Sequence, residues 1–264
     1  MLMEVKNNLK IMFLSFKYNL MRSMENNIAF MTSVIMMIFN NATFIVQWIT
    51  IFSIKELVGG YDLNDVMLFW AISSGAFGLT HVFFNGISKI PEYIEHGKLD
   101  AYLTMPKNVL CQVATSSLEP SAIGDLLYGY IALIIFNFSI KNILLYTLFI
   151  VFGSLIYASF MTIYYSMSFK YIRSHYFTDS LRDVFLNMCL YPDIIFNKII
   201  KILAFSFIPT GFAAWIPVHL LMSFNFSYFI YMILFTIFII IIAFICFYRG
   251  LKNYTSSNLM GARS

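Results

Sequence analysis

The stretch IEHGKLDAYLTMPKN, at residues 94–108, gathers ionisable side chains within a chain that is mostly apolar. Glu95, His96, Lys98 and Asp100 surround Gly97. Carboxylates beside a histidine are residue types used in general acid–base catalysis, but no nucleophile or paired acid accompanies them in a recognisable arrangement. The residue types alone leave two interpretations open: an ordinary solvated loop, or a compact charged surface that another protein contacts.

Motifs for nucleotide and metal chemistry are absent from the sequence. The chain contains no GxxxxGK[ST] phosphate-binding loop, no GxSxG and no HExxH. Its four histidines lie far apart, and Cys111, Cys189 and Cys246 form no CxxC or Cys/His cluster. We therefore predict no catalytic residue, no metal site and no bound cofactor in this chain. Any uphill transport must then take its energy from a partner or from an ion gradient.

Several polar side chains interrupt apolar runs that are long enough to cross a membrane. A charged side chain in hydrocarbon costs about 2.5–3.5 kcal/mol on insertion scales, so such residues usually face protein or water. We predict that Asn40, Asn41, Gln47 and Glu119 line a pathway across the membrane, whereas Asp125 lies at the inner membrane surface. The alternative is hydrogen bonding between helices, worth about 0.6 kcal/mol for each contact.

The composition identifies an integral membrane protein. The mean hydropathy is +0.77, and charged residues make up 11% of the chain, against roughly 25% in soluble domains. The basic residues are spread between apolar runs rather than concentrated in one patch, which argues against nucleic-acid binding. We predict a single all-α domain over residues 1–264, which contacts the lipid bilayer through six transmembrane helices. The predicted spans are 28–52, 66–88, 119–138, 143–168, 183–207 and 226–248.

The distribution of lysine and arginine predicts the orientation of the chain. Six spans put both termini on one side, and cytoplasmic termini place all 17 basic residues inside except Lys55, Lys141, Lys198 and Lys201. Residues 1–27 mix basic and apolar side chains near a helical spacing, which predicts an amphipathic interfacial helix on the inner membrane surface. Because richness in Lys, Asn and Ile is typical of AT-rich genomes, we expect the cytoplasmic membrane of a bacterium.

Helix signals occur within the loop at 89–108, between the second and third predicted spans. Pro91 suits the first turn of a helix, Gly97 permits a bend, and Pro106 ends the element. The apolar residues of the loop fall near a helical spacing, and they are Leu99, Tyr102 and Leu103. The loop is therefore expected to form a short, rigid, charged projection.

The pattern I-x-x-G-K-L-D-x-x-L-x-x-P-x-N over residues 94–108 resembles the cytoplasmic loop of type-2 ABC exporter permeases. It is most similar to the branch of small six-span subunits that work with a separate ATPase. The basic N-terminal helix, the pair Gly59-Gly60 and the break at Tyr191-Pro192 agree with this resemblance along nearly the whole chain. The sequence departs from the family before Glu119, where related subunits often carry an arginine and this chain has Ser-Ser-Leu.

The resemblance implies an assembly of four subunits. Two permeases pair, the second being another copy of this chain or a sister permease, and two ATP-binding cassette subunits dock beneath them and bind ATP and Mg. The loop would act as a coupling helix against the ATPase, and residues 197–223 would form outer re-entrant helices before the last span. The residues implied at or near the ATPase contact are Glu95, Gly97, Lys98, Leu99 and Asp100.

The expected function is ATP-driven export of an amphipathic drug, peptide or lipid-like molecule. A gradient-driven secondary carrier is one alternative, although such carriers have inverted repeats and ion ligands near the midplane that this sequence does not clearly display. A non-transporting subunit that anchors or senses for a complex is another. A membrane-embedded transferase would need clustered histidines or aspartates, which the sequence lacks.

Overall fold

The computed structural model describes residues 2–171 and 174–255, and this part of the chain is built from helices, with one β-bridge between Val58 and Tyr61. Short 3-10 turns follow α3 and α8, and a π-helical turn, Gly211–Trp215, precedes α11. The α-helices are α1 (Leu2–Ser23), α2 (Asn27–Ile54), α3 (Leu63–Phe83), α4 (Ile90–Glu95), α5 (Leu99–Leu103), α6 (Val109–Ala114), α7 (Ser121–Asn137), α8 (Ile140–Tyr165), α9 (His175–Leu190), α10 (Lys198–Ser206), α11 (Ile216–Met222) and α12 (Phe226–Leu251).

Four helices are long and apolar enough to cross a membrane: α2, α3, α8 with the turn that follows it, and α12. Their bounds agree within a few residues with the first, second, fourth and sixth predicted spans. The third predicted span corresponds to α7, whose 17 residues lie at the lower limit of the length that spans a bilayer. A multi-pass, all-helical membrane protein is thus confirmed, while the count of six spans stays a prediction.

Helix α3 is the centre of the bundle. Its most apolar window is 78% buried, against 17% for α2 and 22% for α12, and it packs against α7 and α8. Small residues permit the close approach of these helices. A Cβ atom on Gly78 would lie 2.6 Å from the backbone nitrogen of Leu126, and one on Gly124 would lie 2.5 Å from the Val34 carbonyl oxygen. Larger side chains at these two positions would push α7 away from α3 and α2.

The fifth predicted span, 183–207, is wrong as one continuous helix. Helix α9 ends at Leu190 because Tyr191 adopts an extended backbone, with φ −112° and ψ 145°, as is usual before a proline. Pro192 also lacks the N–H that another helical hydrogen bond requires. The chain then resumes as a separate helix, α10, at Lys198.

Helix α9 nevertheless connects the two ends of the bundle. Near its start, the Asp179 carboxylate accepts a hydrogen bond of 2.7 Å from Tyr165, the last residue of α8. Just beyond its end, Asp193 accepts one of 2.8 Å from Tyr61, in the loop between α2 and α3. With 16 residues, it is too short to meet the usual length of a span.

Residues 197–223, the predicted re-entrant region, contain two helical segments that meet at a sharp bend. Helix α10 and the segment Gly211–Met222 are inclined by 84°. Asn197 begins the region by capping α10, since its Oδ1 accepts a hydrogen bond of 2.9 Å from the Ile200 N–H. The bend matches the predicted extent of the region, and its position relative to a membrane stays a prediction.

Helix α1 is separate from the first span, as the sequence predicts. A turn ends it, and Asn26 caps α2 by accepting a hydrogen bond of 3.1 Å from the Ala29 N–H. Phe16 stacks on Phe83 at the end of α3, with 4.6 Å between ring centroids. The Asn19 amide donates to the carbonyl of Thr115, which follows α6, at 2.9 Å. These contacts place α1 beside the loop at 89–108, and its position at a membrane surface stays a prediction.

Candidate functional site

A cavity of about 180 Å³, with a mostly apolar wall that several polar side chains interrupt, lies between α2, α3, α7 and α9. Two of the residues that line it meet directly, because Asn41 Nδ2 donates a hydrogen bond of 2.6 Å to Asp125 Oδ1. Both side chains are buried. Ser73 and Ser74 line the same cavity and donate their hydroxyl hydrogens to the carbonyls of Cys189 and Ala71, which leaves their oxygen lone pairs available. The cavity therefore holds several hydrogen-bonding groups inside an apolar bundle.

Two buried polar atoms of the residues that line this cavity have no hydrogen-bond partner within the described ranges. They are Asp125 Oδ2 and Trp70 Nε1. The Trp70 ring stacks on Phe44, with centroids 4.2 Å apart, so that an aromatic surface accompanies the carboxylate. An unpaired buried polar atom costs about 1–3 kcal/mol, and the two atoms therefore mark a place suited to a ligand or to water.

Asp125 is buried inside the bundle, with only 5% of the residue exposed, while its position at the inner membrane surface stays a prediction. The preceding residue, Gly124, lets α7 approach the backbone of α2 near Val34, and this contact carries Asp125 inward to Asn41. The signal in the sequence was a carboxylate next to a glycine within an apolar run, together with the adjacent amides Asn40 and Asn41 in another run. Neither feature identified its partner.

The exposed face of α2 carries several other polar residues of that helix. Asn40 is exposed and also lines the cavity, whereas Gln47 is exposed two turns further along the same helix. Sequence reasoning missed Thr43 and Thr50, which are also exposed. These four residues follow one another at spacings of three and four, which places them on a single stripe of the helix. The Gln47 amide makes no hydrogen bond to any other residue in the described part of the chain.

Glu119 lies apart from this cavity. It is exposed just before α7, where Ser121 donates a hydrogen bond of 3.3 Å to its carboxylate. Its backbone N–H donates to the carbonyl of His81 at 3.1 Å. Among the residues that the structure describes, Glu119 forms no ion pair, as the lack of an arginine before it in the sequence indicated. The structure thus brings together three of the predicted polar residues of the bundle, Asn40, Asn41 and Asp125.

The loop at 89–108 forms two short helices rather than the single predicted one. Helix α4 contains Pro91 in its first turn, as expected for a residue without an N–H. Gly97 has a φ of +68°, a left-handed conformation that commonly follows the end of a helix. The chain therefore turns at Gly97 and starts α5, which ends at Leu103.

Buried residues hold this loop against the rest of the chain. Ile90, Ile94 and Leu99 are at most 3% exposed, so Leu99 supports the loop from behind rather than presenting its side chain outward. The Tyr93 hydroxyl lies 3.0 Å from the Ser116 hydroxyl. Asp100 lies near Tyr254, beyond α12, and burial together with this carboxylate raises the pKa of Tyr254 to about 12.

The outward face of the loop is charged at one end and apolar at the other. Glu92, Glu95, His96 and Lys98 are exposed. Lys98 forms an ion pair with Glu92, which lowers the pKa of the Glu92 carboxyl and raises that of the Lys98 ammonium. Because this pair is exposed to solvent, it contributes little to stability. The large apolar side chains on this face are Leu103, 43% exposed, and Met105, 46% exposed.

A second segment of the chain borders the same face. A cleft of about 260 Å³ separates Glu92 and Glu95 from Tyr165 and Asp179, which lie at the end of α8 and the start of α9. Sequence reasoning did not assign Asp179 to this surface, because it lies far along the chain from the loop. The loop and the α8–α9 connection therefore form one continuous polar surface.

A polar cluster around Asp193 joins the loops at the opposite end of the bundle. The Asp193 carboxylate lies 3.4 Å from His219 Nε2 and 3.3 Å from Lys201 Nζ, and it accepts the hydrogen bond from Tyr61. These partners, His219 foremost, hold the pKa of Asp193 well below its usual range. Burial and the neighbouring carboxylate raise the pKa of Tyr61 well above its usual value. The cluster ties α10 and α11 to the loop between α2 and α3.

Comparison with known families agrees with this architecture. A family model described as ABC-2 family transporter protein matches residues 35–258, which is most of the chain. The chain belongs to the ABC-2 transporter family. This ABC-2 permease is therefore the membrane component of an ABC transport system, and its family implies association with an ATP-binding cassette subunit. The match confirms the resemblance found in the sequence, whereas no curated protein and no solved structure matches the chain.

Proposed function

We propose that this ABC-2 permease forms the pathway of an ATP-driven exporter in a bacterial cytoplasmic membrane, with both termini in the cytoplasm. The substrate is an amphipathic drug, peptide or lipid-like molecule. The observation that carries the proposal is the loop at 89–108, which combines an exposed charged and apolar face with a buried support. Because its buried side holds the loop rigidly, this surface suits contact with a protein partner that transmits force to the permease.

The buried support of the loop explains how movement would enter the membrane. Leu99, Ile90 and Ile94 lie in the same apolar core cluster as the buried residues of α3 and α8. Close-packed interiors deform little and therefore transmit displacement. An ATP-binding subunit that docks on Glu95, Lys98 and Leu103 would push on α3 through these contacts when it closes on ATP and Mg.

The polar stripe on α2 supports pairing with a second permease. Gln47 and Asn40 are exposed on a helix whose most apolar window is only 17% buried. An unpaired amide in contact with lipid is costly because hydrocarbon offers it no hydrogen-bond partner. A second permease facing this stripe would shield it from lipid and enclose a polar route between the two subunits. Asn40, Asn41 and Gln47 would then line the route, whereas Glu119 would lie near its cytoplasmic entrance.

Co-purification with charge reversal tests the coupling role. The tagged chain is expected to purify with an ATP-binding cassette subunit, and the double variant Glu95→Lys, Lys98→Glu is expected to lose that subunit while still inserting in the membrane. The matched control is Lys55→Glu, Glu56→Lys, which reverses two exposed charges after α2. It is expected to retain the subunit, because these residues lie at the other end of the bundle.

ATP-dependent accumulation in inside-out vesicles provides the functional readout. Vesicles with the natural chain are expected to accumulate an amphipathic dye when ATP is added, and those with the Glu95, Lys98 double variant are not. Equal accumulation and equal co-purification for both double variants would contradict docking at this loop. Transport by the purified chain with an ion gradient and without any ATPase would contradict the ATP-driven mechanism.

A further inference from the structure

The cavity between α2, α3, α7 and α9 contains a carboxylate that the packing of the helices does not explain. Asp125 is 5% exposed, and Asn41 satisfies only one of its two oxygens. The other oxygen, Oδ2, has no hydrogen-bond partner in the described part of the chain. An ionised carboxylate in such surroundings is costly unless an opposite charge or a donor accompanies it. None of the ion pairs among the described residues involves Asp125.

We propose that this cavity binds the primary ammonium group of an amphipathic cation, with Asp125 Oδ2 as its counter-charge. An ammonium group carries three N–H donors and no acceptor. One donor reaches Oδ2, and the hydroxyl oxygens of Ser73 and Ser74 offer acceptors for the others. The stacked rings of Phe44 and Trp70 add a π surface that attracts an organic cation.

The size and access of the cavity indicate a head group attached to an apolar tail. Its volume of about 180 Å³ is below the 300–1,000 Å³ of pockets that enclose whole drug-sized ligands. Asn40 both lines the cavity and is exposed on the face of α2, so the opening lies along that helix. The tail therefore extends past Asn40 along the outside of α2, where Met36 and Phe39 are exposed and apolar.

The same walls disfavour a metal ion. Calcium needs six to eight oxygen ligands, and magnesium needs six in nearly ideal octahedral geometry. No group of three or more His, Cys, Asp and Glu side chains converges anywhere in residues 2–171 and 174–255 in a way that would hold a metal. Phe44, Phe77 and Leu186 occupy much of the wall instead. An organic cation fits both the single carboxylate and the apolar surroundings.

Binding of an amine and its matched alcohol tests this site directly. Tritiated decylamine and decanol are titrated against the natural chain in nanodiscs, with binding to empty nanodiscs subtracted. Saturable binding of decylamine is expected to have a Kd at least about tenfold lower than that of decanol. A tenfold ratio corresponds to about 1.4 kcal/mol of binding free energy. Equal Kd values, or no saturable decylamine binding, would overturn the proposal.

Substitutions of Asp125 test whether its charge, rather than the shape of the cavity, determines the preference for an amine. Asp125→Asn keeps the size of the side chain and is expected to reduce the preference for decylamine over decanol to about twofold or less. Asp125→Glu is expected to keep the preference. Glu56→Gln, at an exposed carboxylate outside the bundle, is the control and is expected to change neither Kd. A full preference in Asp125→Asn would refute the role of the carboxylate.

Carbodiimide modification keeps the test valid if Asp125→Asn does not fold. Decylamine, but not decanol, is expected to protect Asp125 of the natural chain from dicyclohexylcarbodiimide, as read from the modified peptide by mass spectrometry. If decylamine does not reduce the modification of Asp125, the proposal that this cavity binds an ammonium group is contradicted. The site serves export only if the proposed function holds, but these measurements contain no nucleotide and no ATPase. Their failure would leave ATP-driven export standing, and a failure of coupling would leave amine binding unchanged.

Discussion

Replacing Gly97 is expected to weaken the coupling between ATP hydrolysis and export. Gly97 has a φ of +68°, and a left-handed backbone costs a non-glycine residue roughly 1–2 kcal/mol. Gly97→Ala must accept this strain or change the angle between α4 and α5. If the strain falls on the docked conformation of the loop, affinity for the ATP-binding subunit falls roughly 5- to 30-fold. Gly97→Val is expected to be worse because its side chain is β-branched, and Gly97→Asn milder because asparagine tolerates this conformation.

The assay compares ATPase activity and export in proteoliposomes with the natural chain and each variant. Gly60→Ala is the matched control, because Gly60 also has a positive φ, +92°, and its missing Cβ would have open space around it. Both alanine variants therefore suffer similar backbone strain, but only Gly97 lies in the proposed coupling loop. If Gly97→Val exports with the natural ratio of ATP consumed to substrate moved, the reasoning about this loop is refuted. Equal loss of export in Gly60→Ala would show that the effect is general strain.

Leu99→Ala is expected to destabilise the protein by about 2–5 kcal/mol, because Leu99 is completely buried and its removal leaves a cavity. Leu103→Ala makes the same change at a side chain that is 43% exposed. It should alter stability by less than about 0.5 kcal/mol yet weaken binding of the ATP-binding subunit. Similar unfolding free energies for both variants would contradict the burial of Leu99. Gly124→Val should cost about 1–3 kcal/mol by overpacking, because its Cβ would meet the Val34 carbonyl, and an unchanged Tm would contradict that contact. Asp193→Asn should cost about 1 kcal/mol near neutral pH, since the cluster is partly exposed. Because the pKa of Asp193 is lowered in the folded protein, its contribution to stability is present above the unfolded pKa of about 3.9 and is lost as pH falls below that value. The difference in unfolding free energy between the natural chain and Asp193→Asn should therefore shrink below about pH 4. A difference that stays constant with pH would contradict the charge on Asp193.

The sequence predicted the long helices because their signal is local. An apolar run flanked by polar residues determines both the type and the approximate ends of a span, as α2 and α12 demonstrate. The prediction of the fifth span as one helix failed because the run from Val184 to Phe207 is apolar only on average, and Pro192, Asp193, Lys198 and Lys201 interrupt it. Pro192 interrupts the helix there, and the apolar residues beyond it belong to a differently inclined segment.

The candidate site depended on contacts that no local pattern encodes. Asn41 and Asp125 are 84 residues apart in the chain, and only the close approach of α2 and α7 brings them together. The coupling loop shows the same limit at short range. Leu99 and Leu103 are both apolar and one helical turn apart, yet only Leu99 is buried, because α5 is a single turn whose end projects from the bundle.

The most direct test of the central claim is photo-crosslinking from position 98 in intact membranes. A photoreactive phenylalanine is placed there, since Lys98 is exposed, and in a parallel sample at position 56. The account predicts an adduct between position 98 and an ATP-binding cassette subunit, and none from position 56. It also predicts that a membrane-impermeant reagent reaches a cysteine at position 56, but not one at position 98, from outside the cell. Labelling of position 98 from the outside, or ATPase adducts from position 56 alone, would contradict the claim that this loop receives the force of ATP hydrolysis.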